Sequence, residues 1–202
     1  MILSKNKITK PYCSCSRDEN KLRIESQSTA SHKMVELKAK VNELDAFRKK
    51  LNDFESKLVG TFHQTDTYFE VPEGRLKLRQ FKGSSDAELI FYDRENIAGP
   101  KQDDAFLLRI QDAEDFKTVL KRILKQRIII KKEREIYMHQ GTKIHLDTVQ
   151  GLGKFIEFER QTSDEPETVK KDQQVLEELR KQLQISPKSL ETLSYCDLAQ
   201  KE

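Results

Sequence analysis

The chain has 202 residues, of which 35% are charged and 36% hydrophobic, and its 37 basic and 34 acidic residues leave a formal charge of only +3. This length fits one domain with tails. The small charge excess argues against a nucleic-acid partner, because such proteins usually carry a larger or more segregated basic excess. No apolar run approaches the roughly 18 residues that a bilayer span needs, so no membrane partner is expected either.

The three cysteines do not suggest a zinc site or a disulfide framework. Cys13 and Cys15 form a C-x-C without a second ligand pair at zinc spacing, and Cys196 lies far away in the sequence. An odd number of cysteines favours a reducing compartment. We therefore expect a cytoplasmic protein.

The N-terminal segment 1–33 is rich in serine and basic residues and shows neither helix nor strand periodicity. This composition predicts a disordered tail. An organelle transit segment is the alternative, but the acids Asp18, Glu19 and Glu25 argue against it. A folded domain is predicted over 34–198, followed by a short C-terminal tail over 199–202.

The stretch Met34–Val41 alternates apolar and charged residues, and a period of two predicts a strand with one apolar face and one charged face. Apolar residues at spacings of three and four follow. They predict an amphipathic helix that is capped by Asn42 and ends at Gly60. The apolar face of the strand would supply the surface on which this helix lies.

Further alternating segments follow, joined mostly by short turns. The predicted strands are His63–Val71, Gly74–Phe81, Ala87–Arg94, Phe106–Ile110, Arg127–Tyr137, Lys143–Val149 and Lys154–Arg160. The segment Asn96–Asp104 is predicted as a loop. Helices are predicted after Asp112, through Leu176, and from Ser186 to about Leu193.

Eight strands with mostly hairpin connections predict an α+β fold in which a closed eight-stranded antiparallel β-barrel forms a tunnel. The helices would pack outside the barrel. In this arrangement the apolar strand faces turn outward beneath the helices, and the charged faces turn inward.

Charged residues occupy one face of several predicted strands. Arg75, Lys77 and Arg79 share a strand face, where cations repel each other unless an anion lies between them. A face exposed to solvent is the alternative explanation. The other cations on strand faces are Lys38, Arg94, Lys132 and Arg134, and the carboxylates are Glu36, Asp147, Glu157 and Glu159.

Carboxylates and cations in one cavity are typical of metal–polyphosphate chemistry. Mg²⁺ and Mn²⁺ prefer hard oxygen ligands, while Lys and Arg neutralise phosphate oxygens. The sequence contains no glycine-rich phosphate loop, so side chains would have to bind the phosphates.

Four segments together resemble the CYTH superfamily, the triphosphate tunnel metalloenzymes, in its class IV adenylate cyclase-like branch. They read V-E-L-K-A-K-V at 35–41, D-T-Y-F-E-V-P-E-G-R-L-K-L-R at 66–79, H-L-D-T-V-Q-G-L-G-K-F-I-E-F-E at 145–159 and S-Y-C-D-L at 194–198. The resemblance implies an eight-stranded antiparallel tunnel, a triphosphate substrate and a Mg²⁺ or Mn²⁺ cofactor.

The resemblance, with the charge pattern, gives expected roles to individual residues. The expected metal ligands are Glu36, Glu157 and Glu159; the phosphate-binding residues are Lys38, Arg75, Lys77, Arg79, Arg94, Lys132 and Arg134; and the catalytic residues are Lys38, Arg134 and Asp147. Met34 departs from the family's E-x-E-x-K strand, where it replaces the first Glu and removes one carboxylate. The sequence leaves open whether His145 is a structural residue, a base or a stacking ring.

These residues predict a metal-dependent enzyme acting on triphosphates. It would either convert ATP to cyclic AMP and pyrophosphate or hydrolyse a nucleoside or inorganic triphosphate such as tripolyphosphate. A thiamine triphosphatase-like hydrolase is a second hypothesis, although the chain has no Trp to stack on the thiamine ring. The sequence is also compatible with a non-catalytic polyphosphate- or nucleotide-binding protein, with a plain barrel whose charges are solvated, and with a homodimer.

Overall fold

The computed structural model describes residues 32–94 and 96–201. The predicted N-terminal tail 1–33 therefore lies outside the described residues, except for His32 and Lys33, which are the first residues of the first strand.

The described residues form eight strands and four α-helices. The strands are β1 His32–Val41, β2 Lys57–Phe69, β3 Arg75–Phe81, β4 Ala87–Arg94, β5 Lys101–Ile110, β6 Gln126–His139, β7 Thr142–Val149 and β8 Gly153–Gln161. The helices are α1 Asp45–Asp53, α2 Ala113–Ile123, α3 Pro166–Gln182 and α4 Tyr195–Leu198, with a 3₁₀ turn at Pro187–Ser189.

The eight strands close into one barrel in the order β1-β5-β4-β3-β2-β6-β7-β8, and every pairing is antiparallel. The ring closes where β8 pairs with β1. This confirms the predicted fold. None of the helices in the described part of the chain is long and apolar enough to cross a membrane.

The apolar face of β1 turns outward, as predicted. Val35, Leu37 and Ala39 are fully buried in a cluster that includes Leu51 of α1 and Leu176 of α3. Burying a side chain such as Leu stabilises a fold by about 2 kcal/mol. The outer helices thus hold β1 in place, and its charged residues must face the barrel interior.

The first helix is shorter than predicted. It ends at Asp53, and β2 begins at Lys57, so Gly60 lies inside a strand. The helix ends in a Schellman motif: Glu55 has a φ of 54°, and the N–H of Ser56 donates to the Leu51 carbonyl. Glycine usually occupies this left-handed position and marks the helix end in a sequence. Because Glu55 occupies it here, the sequence did not show that the helix ends at Asp53.

Two further elements differ from the predictions by more than one or two residues at an end. β5 begins at Lys101, inside the segment predicted as a loop, because its first residues alternate charged side chains instead of apolar ones. The helix predicted from Ser186 is reduced to the 3₁₀ turn, after which Leu190 forms a bridge with Ala39 of β1.

Candidate functional site

The barrel encloses a cavity of about 850 Å³. At one end the short helix α4 fills the interior, where Tyr195 and Cys196 pack in a buried cluster with Tyr68, Tyr92 and Phe155. At the other end, the described residues leave a mouth lined by exposed side chains. A ligand would enter through this mouth.

Asp66 of β2 gathers three of the predicted phosphate-binding cations. Its carboxylate accepts two hydrogen bonds from Arg79, at 2.8 and 2.9 Å, and one from Lys132 at 2.8 Å. Lys77 lies 3.4 Å away. Burial works against ionisation of Asp66, but these cations hold its pKa well below the usual value. One carboxylate thus faces three cations, which leaves positive charge for an anion.

The buried ammonium of Lys132 has an altered protonation equilibrium. Burial lowers the pKa of Lys132 to about 7, and the carboxylate of Asp66 opposes this shift only in part. An incoming phosphate would favour the charged form of the lysine.

Arg134 of β6 connects the cation group to the carboxylates of β8. It donates to both oxygens of Asp147, at 2.7 and 2.6 Å, and lies 3.4 Å from Glu157. Asp147 also accepts a hydrogen bond from the Tyr195 hydroxyl at 2.7 Å. Asp147 is fully buried and does not line the cavity. It is therefore placed to orient Arg134, whereas it could not contact a substrate in the cavity.

Glu157, Glu159 and His145 form a candidate metal site on β7 and β8. Their ligand atoms all lie within 4.8 Å of one another. His145 Nδ1 is buried, lies 3.7 Å from Glu157 and 3.6 Å from Glu159, and has no hydrogen-bond partner among the described residues. Two carboxylates and an imidazole fit a divalent ion; Mn²⁺ suits carboxylate ligands and tolerates the imidazole better than Mg²⁺ does.

Lys38 lies beside this cluster. Its ammonium lies 3.2 Å from Glu157 and 4.4 Å from the centre of the Tyr195 ring. Burial works against ionisation of Glu157, but Lys38 and Arg134 keep its pKa well below the usual value. The carboxylate therefore favours its ionised form, which a metal ligand requires.

Glu36, the third predicted metal ligand, lies outside the His145 cluster. Its carboxylate pairs with Arg94 of β4 and lies 3.6 Å from Lys101 of β5. Although Glu36 and Glu159 are neighbours in the β1–β8 register, the cations of β4 and β5 hold Glu36. The sequence could not show this, because Lys101 fell in a segment predicted as a loop.

Arg94 lines the cavity as predicted. It contacts Glu36, but its Nε and Nη2 atoms find no hydrogen-bond acceptor in the part of the chain that the structure describes. These buried donors remain available for an anion in the cavity.

Arg75 is not where a phosphate-binding role requires it. It donates to Asp197 of α4, with distances of 2.9 and 3.2 Å, and is not among the residues that line the cavity. Because Arg75 stands at the start of β3, at the filled end of the barrel, it fixes α4 in place.

Four buried residues near the site have no role among the sequence predictions: Asp66, Lys101, Asp103 and Tyr195. A signal existed for Asp66, since it shares one face of β2 with Gln64 and Tyr68 at a spacing of two. Met34 lines the cavity opposite Asp103 of β5, where burial raises the pKa of Asp103 to about 6.

Comparisons with known proteins agree with this architecture. Residues 32–195 match the CYTH domain family. A candidate adenylate cyclase of Methanocaldococcus jannaschii is 29% identical, over 81% of this chain and 97% of the relative. The adenylate cyclase CyaB of Aeromonas hydrophila is 28% identical, over 82% of this chain and 88% of the relative.

Among solved structures, a conserved hypothetical protein from Pyrococcus furiosus superimposes with a TM-score of 0.72 and 31% identity. The match covers 82% of this chain and 99% of that protein. The family match over 32–195 agrees with the closed barrel and its charged interior, and the chain therefore belongs to the CYTH domain family.

Proposed function

We propose that this protein is a divalent-metal-dependent enzyme that cleaves the phosphate chain of a triphosphate substrate. One observation carries the proposal. Arg134 lies between the cations around Asp66 and the candidate metal cluster of Glu157, Glu159 and His145. A metal-bound polyphosphate needs both kinds of partner side by side.

The cations would bind the phosphate oxygens. Arg79, Lys77 and Lys132 are held together by Asp66, so a triphosphate would meet them already positioned and would lose little entropy in ordering them. Arg134 is fixed by Asp147 and can share its remaining donor capacity with phosphate oxygens.

The candidate metal cluster would supply the electrophilic partner. A divalent ion held by His145, Glu157 and Glu159 would polarise phosphoryl oxygens and neutralise developing charge. Lys38 and Arg134 keep Glu157 ionised, so this residue can serve as a ligand at neutral pH.

Cyclisation of ATP is the first candidate reaction, because two relatives bear the name of adenylate cyclase. In it the 3′-hydroxyl oxygen attacks the α-phosphorus and its proton passes to solvent, while the bond to the bridging oxygen breaks and pyrophosphate leaves with its charge bound by the cations. Hydrolysis at the terminal phosphorus, of ATP, tripolyphosphate or thiamine triphosphate, would use the same cations and carboxylates.

A product assay tests the proposal. Purified protein is incubated with ATP and either Mg²⁺ or Mn²⁺, and cyclic AMP with pyrophosphate is separated from ADP with phosphate. We expect cyclic AMP and pyrophosphate, with a larger rate in Mn²⁺. Absence of turnover of ATP, tripolyphosphate and thiamine triphosphate with both metals would overturn the enzyme proposal.

A non-catalytic triphosphate-binding protein is the second candidate. Met34 replaces one carboxylate of β1, and Arg94 pairs with the other, Glu36, so β1 brings no free carboxylate to the site. Binding of tripolyphosphate without turnover of any triphosphate would favour this candidate.

A further inference from the structure

The mouth of the cavity is lined by apolar side chains from four strands. We name this set the apolar rim: Val59 and Phe62 of β2, Phe81 of β3, Leu107 of β5 and Met138 of β6. Val59 is 53% exposed and Leu107 is 37% exposed. Exposed apolar surface that continues into a binding cavity is typical of a ligand-contact surface.

The aromatic part of the rim has a defined geometry. The rings of Phe62 and Phe81 lie 6.4 Å apart at 74°, in an edge-to-face pair. Phe62 also lies over Gly60, where an added Cβ would come within 3.2 Å of a ring carbon. Gly60 does not have a positive φ, so a turn does not require glycine at this position. The close contact with the Phe62 ring explains the glycine instead.

The charged groups lie deeper than the rim. Along β3 the inward residues run from Lys77 through Arg79 to Phe81, and along β6 from Lys132 through Arg134 to Met138. A ligand that entered through the mouth with its phosphates against the cations would place its other end against the rim.

The size of the cavity leaves room for that other end. Its volume of about 850 Å³ lies in the upper part of the roughly 300–1,000 Å³ range of sites for drug-sized ligands. Met34 extends the apolar surface inward from the rim, at the position where the resemblance would place a carboxylate.

We propose that the apolar rim binds a flat organic group attached to the triphosphate, so that the protein selects organic triphosphates over inorganic tripolyphosphate. This inference rests on the proposed function, because the cations must hold the phosphate chain. Aromatic side chains stack on the faces of such groups, and Phe62 with Phe81 supplies two rings at the mouth.

Calorimetric titration of wild-type protein and of Phe62→Ala tests the inference. ATP and inorganic tripolyphosphate are titrated separately in buffer with EDTA, where metal-dependent turnover consumes neither ligand. Phe62→Ala should weaken ATP binding about tenfold and change tripolyphosphate binding by less than about twofold. Phe106→Ala is the matched control, since Phe106 is 41% exposed and does not line the cavity.

A second variant covers the case in which Phe62→Ala does not fold. Val59 is half exposed, so we expect Val59→Asn to leave the fold intact and still to weaken ATP binding selectively. Equal losses for both ligands, or no loss for ATP, would overturn the role of the rim while leaving the triphosphate site intact. Failure of wild-type protein to bind either ligand, both in EDTA and in a parallel titration with Mn²⁺, would instead overturn the proposed function and this inference with it.

Discussion

The two sides of the barrel interior hold opposite excesses of charge. On β2, β3 and β6 the single carboxylate of Asp66 faces Lys77, Arg79 and Lys132. On β7 and β8, the carboxylates of Asp147, Glu157 and Glu159 lie near His145 and outnumber the two cations beside them, Lys38 and Arg134. Each side is electrostatically incomplete alone, since like charges at close range disfavour each other. A phosphate chain would complete the first side and a metal ion the second.

The first prediction concerns the cation side, where we expect the strongest change. Asp66→Asn leaves three buried cations without their shared carboxylate, so we expect a loss of about 3–5 kcal/mol in the free energy of unfolding. Urea denaturation measures it. Added tripolyphosphate should raise the midpoint of the variant more than that of the wild type, because the anion replaces the missing charge.

The control for this change is Asp93→Asn, at an exposed position of β4. Its unfolding free energy should stay within about 0.5 kcal/mol of wild type. A small loss in Asp66→Asn, similar to that of the control, would mean that Asp66 does not hold the cations together.

The second prediction concerns Arg134, which lies between the two sides. Arg134→Ala should lower kcat/KM for ATP about 100-fold, since the variant loses a guanidinium that lies 3.4 Å from Glu157 and that we propose also binds the phosphate chain. Arg75→Ala is the matched variant, because Arg75 binds α4 outside the cavity lining. Its kcat/KM should stay within about threefold of wild type. Equal losses in the two variants would contradict the division between interior and barrel end.

The third prediction concerns the carboxylate side. From the sequence we expect Glu159→Gln to lower activity more than Glu157→Gln, since the position nearer the strand end has more room for a metal. The structure adds a reason: Lys38 and Arg134 engage Glu157 closely, whereas Glu159 is 4.0 Å from Arg134. Glu159→Gln should weaken Mn²⁺ binding about tenfold or more, measured by electron paramagnetic resonance. Equal effects would count against Glu159 as the main ligand.

The smallest effect is a pH dependence on the cation side. Burial lowers the pKa of Lys132 to about 7 in the free protein, and a bound phosphate would raise it again. The complex therefore holds more protons above pH 7, so affinity for tripolyphosphate should fall as pH rises, by up to about tenfold per unit. In Lys132→Met the affinity should fall less steeply with pH than in the wild type. The ligand's own protonation affects both proteins equally, so the change in slope reports on Lys132. An unchanged slope would contradict the role of Lys132.

The sequence predicted the barrel well because alternation of apolar and charged residues is local. The outward Leu37 and inward Lys38 of β1 are neighbours, and period two alone assigns their faces. The same rule placed Lys77, Arg79 and Arg134 in the interior. It could not place β5 over its full length, because Lys101 and Asp103 interrupt the apolar pattern.

Ion pairs between side chains of different strands could not be predicted from the sequence, because they depend on the register of the barrel. Glu36 and Glu159 stand side by side in β1 and β8, yet Arg94 and Lys101 hold Glu36 away from the His145 cluster. Arg75 shares its strand face with Lys77, but the distant Asp197 holds it at the end of the barrel. Long-range partners of this kind decide which charged residues remain free for a ligand.

The most direct test of a combined metal and triphosphate site is anomalous diffraction at the manganese edge from crystals soaked with Mn²⁺ and tripolyphosphate. We predict a manganese peak bound by His145, Glu157 and Glu159, with phosphate density extending to Arg79 and Lys132. Manganese bound outside the barrel, or phosphate density away from these cations, would contradict it.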